Sequence, residues 1–246
     1  MELPDLDRWL AAHHGVISRA EAARLGTSTA AWYRAIEGGR LELVHPGVAR
    51  AYGSPNTAEL RIRAAVLAVG NAGIASHRSA AHLWGIERPD ADPVDVIVPR
   101  PCRRRPAGIV VHRPTDVADL NVVIRSTIPC TNLLRTIVDL GAVDRAGVSG
   151  AVEAAIVSGV VSPAALRSLL ARHARPGRSG VGSLRTALDR WPVEGKPPDS
   201  LLEVAMARLL DRYGLPAAEL HPSIAGLVPD FRITGTPILI ECDGWE

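Results

Sequence analysis

Apolar and polar positions alternate along this chain with periods that change twice. In the first fifty residues Leu6, Trp9 and Leu10 fall on one face at helical spacing, and Gly15 ends that helix. Ser18-Arg19-Ala20-Glu21 reads as a capping box, in which hydroxyl and carboxylate satisfy the free N–H groups of a second helix that stops at Gly26. A third helix, capped by Thr27 or Ser28 and reaching Glu37, buries Trp32 and Ile36, four apart, and turns Tyr33, Arg34 and Glu37 outward. Leu41 and Leu43, the turn His45-Pro46-Gly47, then Val48, Arg50 and Tyr52 read as a hairpin. Helix-turn-helix followed by a hairpin is the order of a winged helix, whose third helix can enter a major groove while the wing touches phosphate.

The middle of the chain mixes both periods. Residues 58–69 form an apolar-periodic helix, and residues 75–86 begin another with Ala80, Leu83 and Trp84 on its buried face. "DVIVP" and "GIVVHR" are strand-like and flank the basic loop "RPCRRRPAG", which carries Arg100, Arg103, Arg104 and Arg105. Helical patterns follow from about residue 131, over 143–158 and over 163–173. His77 and His82 are five apart, not the three or four that align ligands on a helix, so they read as capping or core histidines. The stretch "RPGRSGVGS", rich in Gly, Pro and Ser, reads as a linker.

Beyond it, a helix ending near Trp191 is followed by an amphipathic helix with apolar Leu201, Leu202, Ala205, Leu209 and Leu210, carrying Glu203 and stopping at Gly214. An extended piece over residues 219–221 precedes two apolar runs, "VPDFRI" and "PILIECDG", about a turn at Gly235-Thr236. A symmetric loop there puts Asp230 directly opposite Glu241, unless Pro237 introduces a one-residue bulge. Facing β-carbons lie about 5 Å apart, and like charges in that position destabilise a sheet. Period two adds Asp243 to the face of Glu241, so three carboxylates converge in a set that suits Mg²⁺ or Mn²⁺; the alternative is three solvated acids at strand ends. The expected architecture is α+β and multidomain, with a winged helix over residues 1–53, an α/β region over 54–175 and an acidic domain over 176–246.

Charge and composition sharpen this division. The net charge is only +2, yet the middle region is basic and the last region acidic, so the loop arginines are candidate phosphate contacts. Cys102, Cys130 and Cys242 are far apart and in no paired spacing, which indicates neither a disulfide framework nor a zinc site and fits a cytoplasmic protein. The most apolar helical stretch is too short to span a bilayer, so no membrane association is expected.

Two resemblances add to these readings. "GVISRAEAARLG" followed by "GGRLELVHPGVAR" is similar to the winged-helix domain of AbiEi-family antitoxins of type IV toxin-antitoxin systems, and residues 76–142 look like the central region of the same family. That likeness implies binding of double-stranded DNA, and a cognate toxin as a partner. With the outward positions above, it makes Tyr33, Arg34, Arg40, Arg50, Arg103, Arg104 and Arg105 the candidate DNA contacts. Ala49 stands where many relatives carry an aromatic.

Glu203 on a helix, "PDF" with Asp230 and "IECDG" with Glu241 resemble the PD-(D/E)xK nuclease superfamily, in its Vsr-like DUF559 branch, with an αβββ core. By that likeness Asp230, Glu241 and the Cys242 carbonyl hold the metal, Glu203 stands nearby, and Asp243 completes the catalytic set in place of the lysine that many members carry. Relatives continue beyond the Asp-Gly pair with a His, a helix and a strand, whereas this chain reaches Glu246, so the resemblance predicts an incomplete core. Three functions compete: a DNA-binding regulator or antitoxin with a nuclease-like remnant, an Mg²⁺-dependent endonuclease completed by another chain, and a protein-interaction module.

Overall fold

The computed structural model describes residues 3–98, 102–114, 120–175, 178–189, 191 and 201–242. It is a multidomain α+β structure with three separate sheets. The N-terminal unit comprises α1 (Leu3–Ala12), β1 (Val16–Ser18), α2 (Arg19–Arg24), α3 (Thr29–Glu37), β2 (Leu41–His45) and β3 (Val48–Ala51). The capping box at Ser18 and Glu21 is formed in both directions, and the Ser28 side chain caps α3. Leu6, Leu10, Ala22, Trp32 and Leu41 close one core over this unit. The hairpin β2–β3 forms as the pattern predicts, and β1 adds a third strand in the order β1-β3-β2. A strand of three residues that ends in the Ser18 cap is too short to show a period of two, which is why β1 is invisible in the pattern.

The winged sheet is buried on its second face as well. Val16 and Val48 pack there against Leu60, Ala64 and Ala68 of α4 (Ala58–Val69). Deeper in this interface the Arg63 guanidinium lies 2.8 Å from Glu21 Oε1, both side chains nearly inaccessible, and it also donates to the carbonyl oxygens of Val16 and Thr127. Glu21 therefore serves twice: Oε2 accepts from the Ser18 backbone N–H, and Oε1 receives Arg63.

Beyond α4 lies a mixed five-stranded sheet in the order β6-β5-β4-β8-β7, formed by β4 (Ile74–Ala75), β5 (Val94–Ile97), β6 (Ile109–His112), β7 (Val122–Arg125) and β8 (Ile128–Thr131). β5 with β6 and β4 with β8 run parallel. The helix expected to begin within residues 75–86 is α5 (His77–Leu83), which starts at His77 because residues 74 and 75 are taken into β4. The helices α6 (Leu133–Val143), α7 (Gly147–Val157) and α8 (Pro163–His173) stand close to their predicted places.

Two expectations are corrected here. The described part of the stretch read as a linker, residues 175 and 178–183, does not behave as one: it leads straight into α9 (Val181–Leu188), which packs Leu184, Ala187 and Leu188 into the same apolar core as α6, α7 and α8, and Trp191 joins them. Of the glycines that gave the stretch its linker composition, Gly180 serves close packing. A Cβ on Gly180, at φ +89°, would lie 2.2 Å from the Val138 carbonyl oxygen, and one on Gly141 would lie 2.8 Å from the Gly180 carbonyl. Arg178 reaches across to Asp139 at 2.7 Å.

The second correction concerns α10 (Leu201–Arg212). Among its described side chains the buried ones are Glu203, Val204 and Leu210, while Leu202, Ala205 and Leu209 of the expected apolar face are exposed. The helix serves two cores at once. Val204 enters the helical core of α6 to α9, and Met206 and Leu210 cover the C-terminal sheet. That sheet has the order β11-β10-β9, from β9 (Ala218–Leu220), β10 (Phe231–Ile233) and β11 (Leu239–Ile240). Its hairpin register is the symmetric one, Phe231 facing Ile240 and Arg232 facing Leu239, with no bulge at Pro237. Among the described residues no helix is long and apolar enough to cross a membrane.

The Arg63–Glu21 pair generates a stability prediction. Removing one partner strands the other charge in a dry interface, which costs about 3–5 kcal/mol, whereas replacing both with apolar residues of similar volume is close to neutral. Urea denaturation of Arg63→Met and of Glu21→Leu should show a loss of this order for each, and the double variant should recover most of the Arg63→Met loss. Additive losses in the double variant would show that the pair is not the source.

Candidate functional site

Three places in this fold gather chemistry-bearing side chains. The first is the outward face of α3. Tyr33 is 49% exposed and Arg34 stands beside it in solvent, opposite the buried Trp32. Arg40 lies 2.7 Å from Asp7, and Arg50 lies 2.8 Å from Glu42, its cross-strand partner on β2. Of the four candidate contacts in this unit, two are thus open and two are held by carboxylates. Exposed pairs of this kind contribute only about 0–1 kcal/mol, so a phosphate can replace the carboxylate.

The loop between β5 and β6 presents Arg103, Arg104 and Arg105 to solvent. Arg100 lies outside the described residues. The described part of the loop is held at two points: Arg113 donates to the Cys102 and Arg104 carbonyl oxygens at 2.9 Å each, and the Cys102 thiol points at the Val69 carbonyl. The charges therefore project from a fixed platform at the C-terminal end of α4.

The second place is a buried polar cluster in the central unit, which pattern reading did not identify. Asp95 on β5 is fully buried and accepts from Arg78 at 2.7 and 3.2 Å and from His112 Nε2 at 2.7 Å. Burial pushes its carboxyl up, but the hydrogen bonds from His112 and Arg78 outweigh that and hold it below the usual carboxylate range. His77 stacks on His112 with centroids 3.7 Å apart, and its backbone is left-handed at φ +48°. Burial pushes the His77 imidazole down to about 4, against the opposing pull of Asp139. His82 pairs instead with Glu59 at 2.9 Å, so the two histidines share no ligand position; His77 is a buried core residue, whereas His82 is only half-buried.

The third place is the C-terminal unit. Glu203 enters from α10 and is buried. His221 follows β9 with φ +50°, its backbone N–H donating to the Asp230 carbonyl oxygen at 2.9 Å, and its Nε2 lies 3.0 Å from Glu203 Oε2. Asp230 precedes β10, and its Oδ2 accepts the Cys242 N–H at 2.6 Å. One ligand atom from each of Glu203, His221 and Asp230 falls within 4.8 Å of the others.

This grouping differs from the one the resemblance implies. Glu203 and Asp230 meet, but Glu241 is exposed and stands outside the group, and Asp243 lies outside the described residues. The last registered pair is Phe231 with Ile240; past it the Asp230 carboxylate turns to the Cys242 backbone, where the ladder would otherwise continue. Cys242 acts here through its N–H. His221 was missed because nothing in its spacing from Asp230 marks it, and only the chain path through residues 221–230 brings it back to β10.

No protein-family profile matches this chain, and no curated protein matches it. Among solved structures, the RV2827C protein from Mycobacterium tuberculosis is similar at a TM-score of 0.44 and 16% sequence identity, over 79% of this chain and 82% of that one.

The His77 environment generates a pH prediction. A histidine held neutral in the fold binds its proton only on unfolding, so its contribution is complete above pH 6.5 and is lost as pH falls from about 6.5 toward about 4. At 1.36 kcal/mol per unit the loss reaches up to ~3 kcal/mol. His77→Asn, which tolerates the left-handed backbone, should flatten the difference in unfolding free energy between pH 7 and pH 4.5. An unchanged pH slope in this variant would show that other groups carry the acid sensitivity.

Proposed function

We propose that this chain is a cytoplasmic DNA-binding regulator of the antitoxin type, in which the winged helix engages double-stranded DNA and the C-terminal unit is nuclease-like. The observation that carries this reading is the exposed face of α3, where Tyr33 and Arg34 stand free of the core while the buried Trp32 fixes the helix orientation. Arg40 and Arg50 flank that face, and the pinned loop bearing Arg103, Arg104 and Arg105 offers further phosphate contacts. Phosphate neutralisation supplies most non-specific affinity, and a helix in the major groove supplies base reading. A cognate toxin is the protein partner this reading implies.

A second reading, a metal-dependent endonuclease of the Vsr-like kind using Mg²⁺ or Mn²⁺, is favoured by the meeting of Glu203 with Asp230. A divalent ion there would activate water and stabilise charge on the phosphate, and the side chains would orient both. Orientation is the demanding part: small misplacement of the scissile phosphate costs orders of magnitude in rate.

Fluorescence anisotropy of the full chain with duplex DNA, titrated with salt, tests the regulator reading. Each lost phosphate contact should reduce the slope of log affinity against log salt by about one. Arg34→Ala/Arg50→Ala should bind more weakly with a shallower slope, and Arg103→Ser/Arg104→Ser/Arg105→Ser should weaken specific and random duplexes alike. Wild-type binding by the first variant would reject the reading. In parallel, supercoiled plasmid should stay intact with Mg²⁺ or Mn²⁺; nicking that depends on Asp230 or Glu241 would favour the enzyme.

A further inference from the structure

The donor atoms collected in the C-terminal unit are of mixed kind, and that carries information about what they bind. Two carboxylates and one imidazole come together from α10, from the end of β9 and from the start of β10. We infer that Glu203, His221 and Asp230 form the site of one divalent cation of the Mn²⁺ to Zn²⁺ class, with an imidazole nitrogen as ligand and without Glu241. The inference deepens the nuclease-like reading of this unit, and it departs from the all-oxygen Asp230, Glu241 and Cys242 set that the resemblance implies.

The geometry is that of a coordination sphere before its ion. Donors held at about 2.1 Å from one ion lie about 3 Å apart when they subtend a right angle. His221 Nε2 and Glu203 Oε2 are 3.0 Å apart, and the whole set fits within 4.8 Å. The contact between His221 and Glu203 is what an ion would replace, with both donors moving little.

Glu203 and Asp230 are also held from behind. Glu203 is carried on a helix turn whose neighbours Val204 and Met206 are anchored in two different cores. The Cys242 N–H fixes one oxygen of Asp230 and leaves the other for the ion. The His221 backbone N–H on the Asp230 carbonyl sets the spacing of those two ligands. Outer contacts of this sort orient ligands in metal sites and are part of their affinity.

Donor chemistry selects the ion. Mg²⁺ demands near-octahedral oxygen ligands and sheds water reluctantly, whereas imidazole nitrogen suits the transition metals and zinc. Glu241, exposed and outside the group, has no part in this site.

Equilibrium dialysis of the full-length protein with MnCl₂ and with ZnCl₂, and pulsed EPR of the Mn²⁺ form, test the inference. One ion should bind per chain, the EPR should show nitrogen coupling from one imidazole, and a tenfold excess of Mg²⁺ should not displace the ion. Asp230→Asn and Glu203→Gln should each weaken binding at least tenfold, His221→Gln should remove the nitrogen coupling, and Glu241→Gln should change neither. Absence of bound Mn²⁺ and Zn²⁺ in the wild type, nitrogen coupling that persists in His221→Gln, or displacement by Mg²⁺ together with loss in Glu241→Gln would each overturn it. Because the wild-type EPR needs no variant, misfolding of a substituted chain does not decide the outcome. DNA binding is read separately. Failure of metal binding with intact DNA anisotropy rejects this site alone, and metal binding without DNA binding rejects the regulator reading alone.

Discussion

A single guanidinium determines how the winged helix is presented. Arg63, in the middle of α4, reaches Glu21 of α2, the Val16 carbonyl of β1 and the Thr127 carbonyl at the tip of the β7–β8 hairpin. Those three acceptors belong to the helix-turn-helix, to its sheet and to the central unit. A buried charge of this kind adds little net stability, because desolvation offsets most of the attraction. What it adds is selectivity: any other seating of the winged helix on α4 leaves Arg63 or Glu21 dry and unpaired. Since Glu21 also closes the capping box, the same carboxylate couples the start of α2 to the attachment of the whole unit.

That attachment relates the two basic surfaces to one another. α4 carries the winged sheet along Val16 and Val48, and its C-terminal end touches the loop with Arg103 to Arg105 through Cys102 and Arg104. The loop arginines and the unit that carries α3 are therefore attached to the same helix. A duplex meeting both would encounter a preformed surface and would not have to order it, which removes part of the entropic cost of association.

Much of this was legible from pattern because the elements concerned are amphipathic and locally capped. The helices at residues 58–69 and 163–173, the Ser18–Glu21 box and the hairpin register of β10 with β11 follow from spacing and turn chemistry alone. Pattern failed where one residue type serves two purposes. Gly180 looks like a linker glycine, but with Gly141 it permits two backbones to touch. The face of α10 was misread because an apolar stripe normally marks the buried side, and here burial follows the demands of two cores and a carboxylate. The Asp95, His112 and His77 cluster and His221 were not legible at all, since their partners are distant in sequence and joined only by the path of the chain.

The double allegiance of α10 bears on what the C-terminal unit can do. Val204 fastens the helix to the core of α7 and α9, and Arg208 pairs with the buried Glu153 of α7. Two residues further along the helix from Val204, Met206 belongs to the small core beneath β10. A rotation of α10 sufficient to move the Glu203 carboxylate would therefore disturb both cores together, and packed interiors resist such displacement. An ion bound between Glu203, His221 and Asp230 would tie β9 and β10 to a helix already held by the central unit. Occupancy of that site is thus linked to the docking of the C-terminal sheet on the rest of the protein, because a ligand that binds only the docked arrangement stabilises it by mass action.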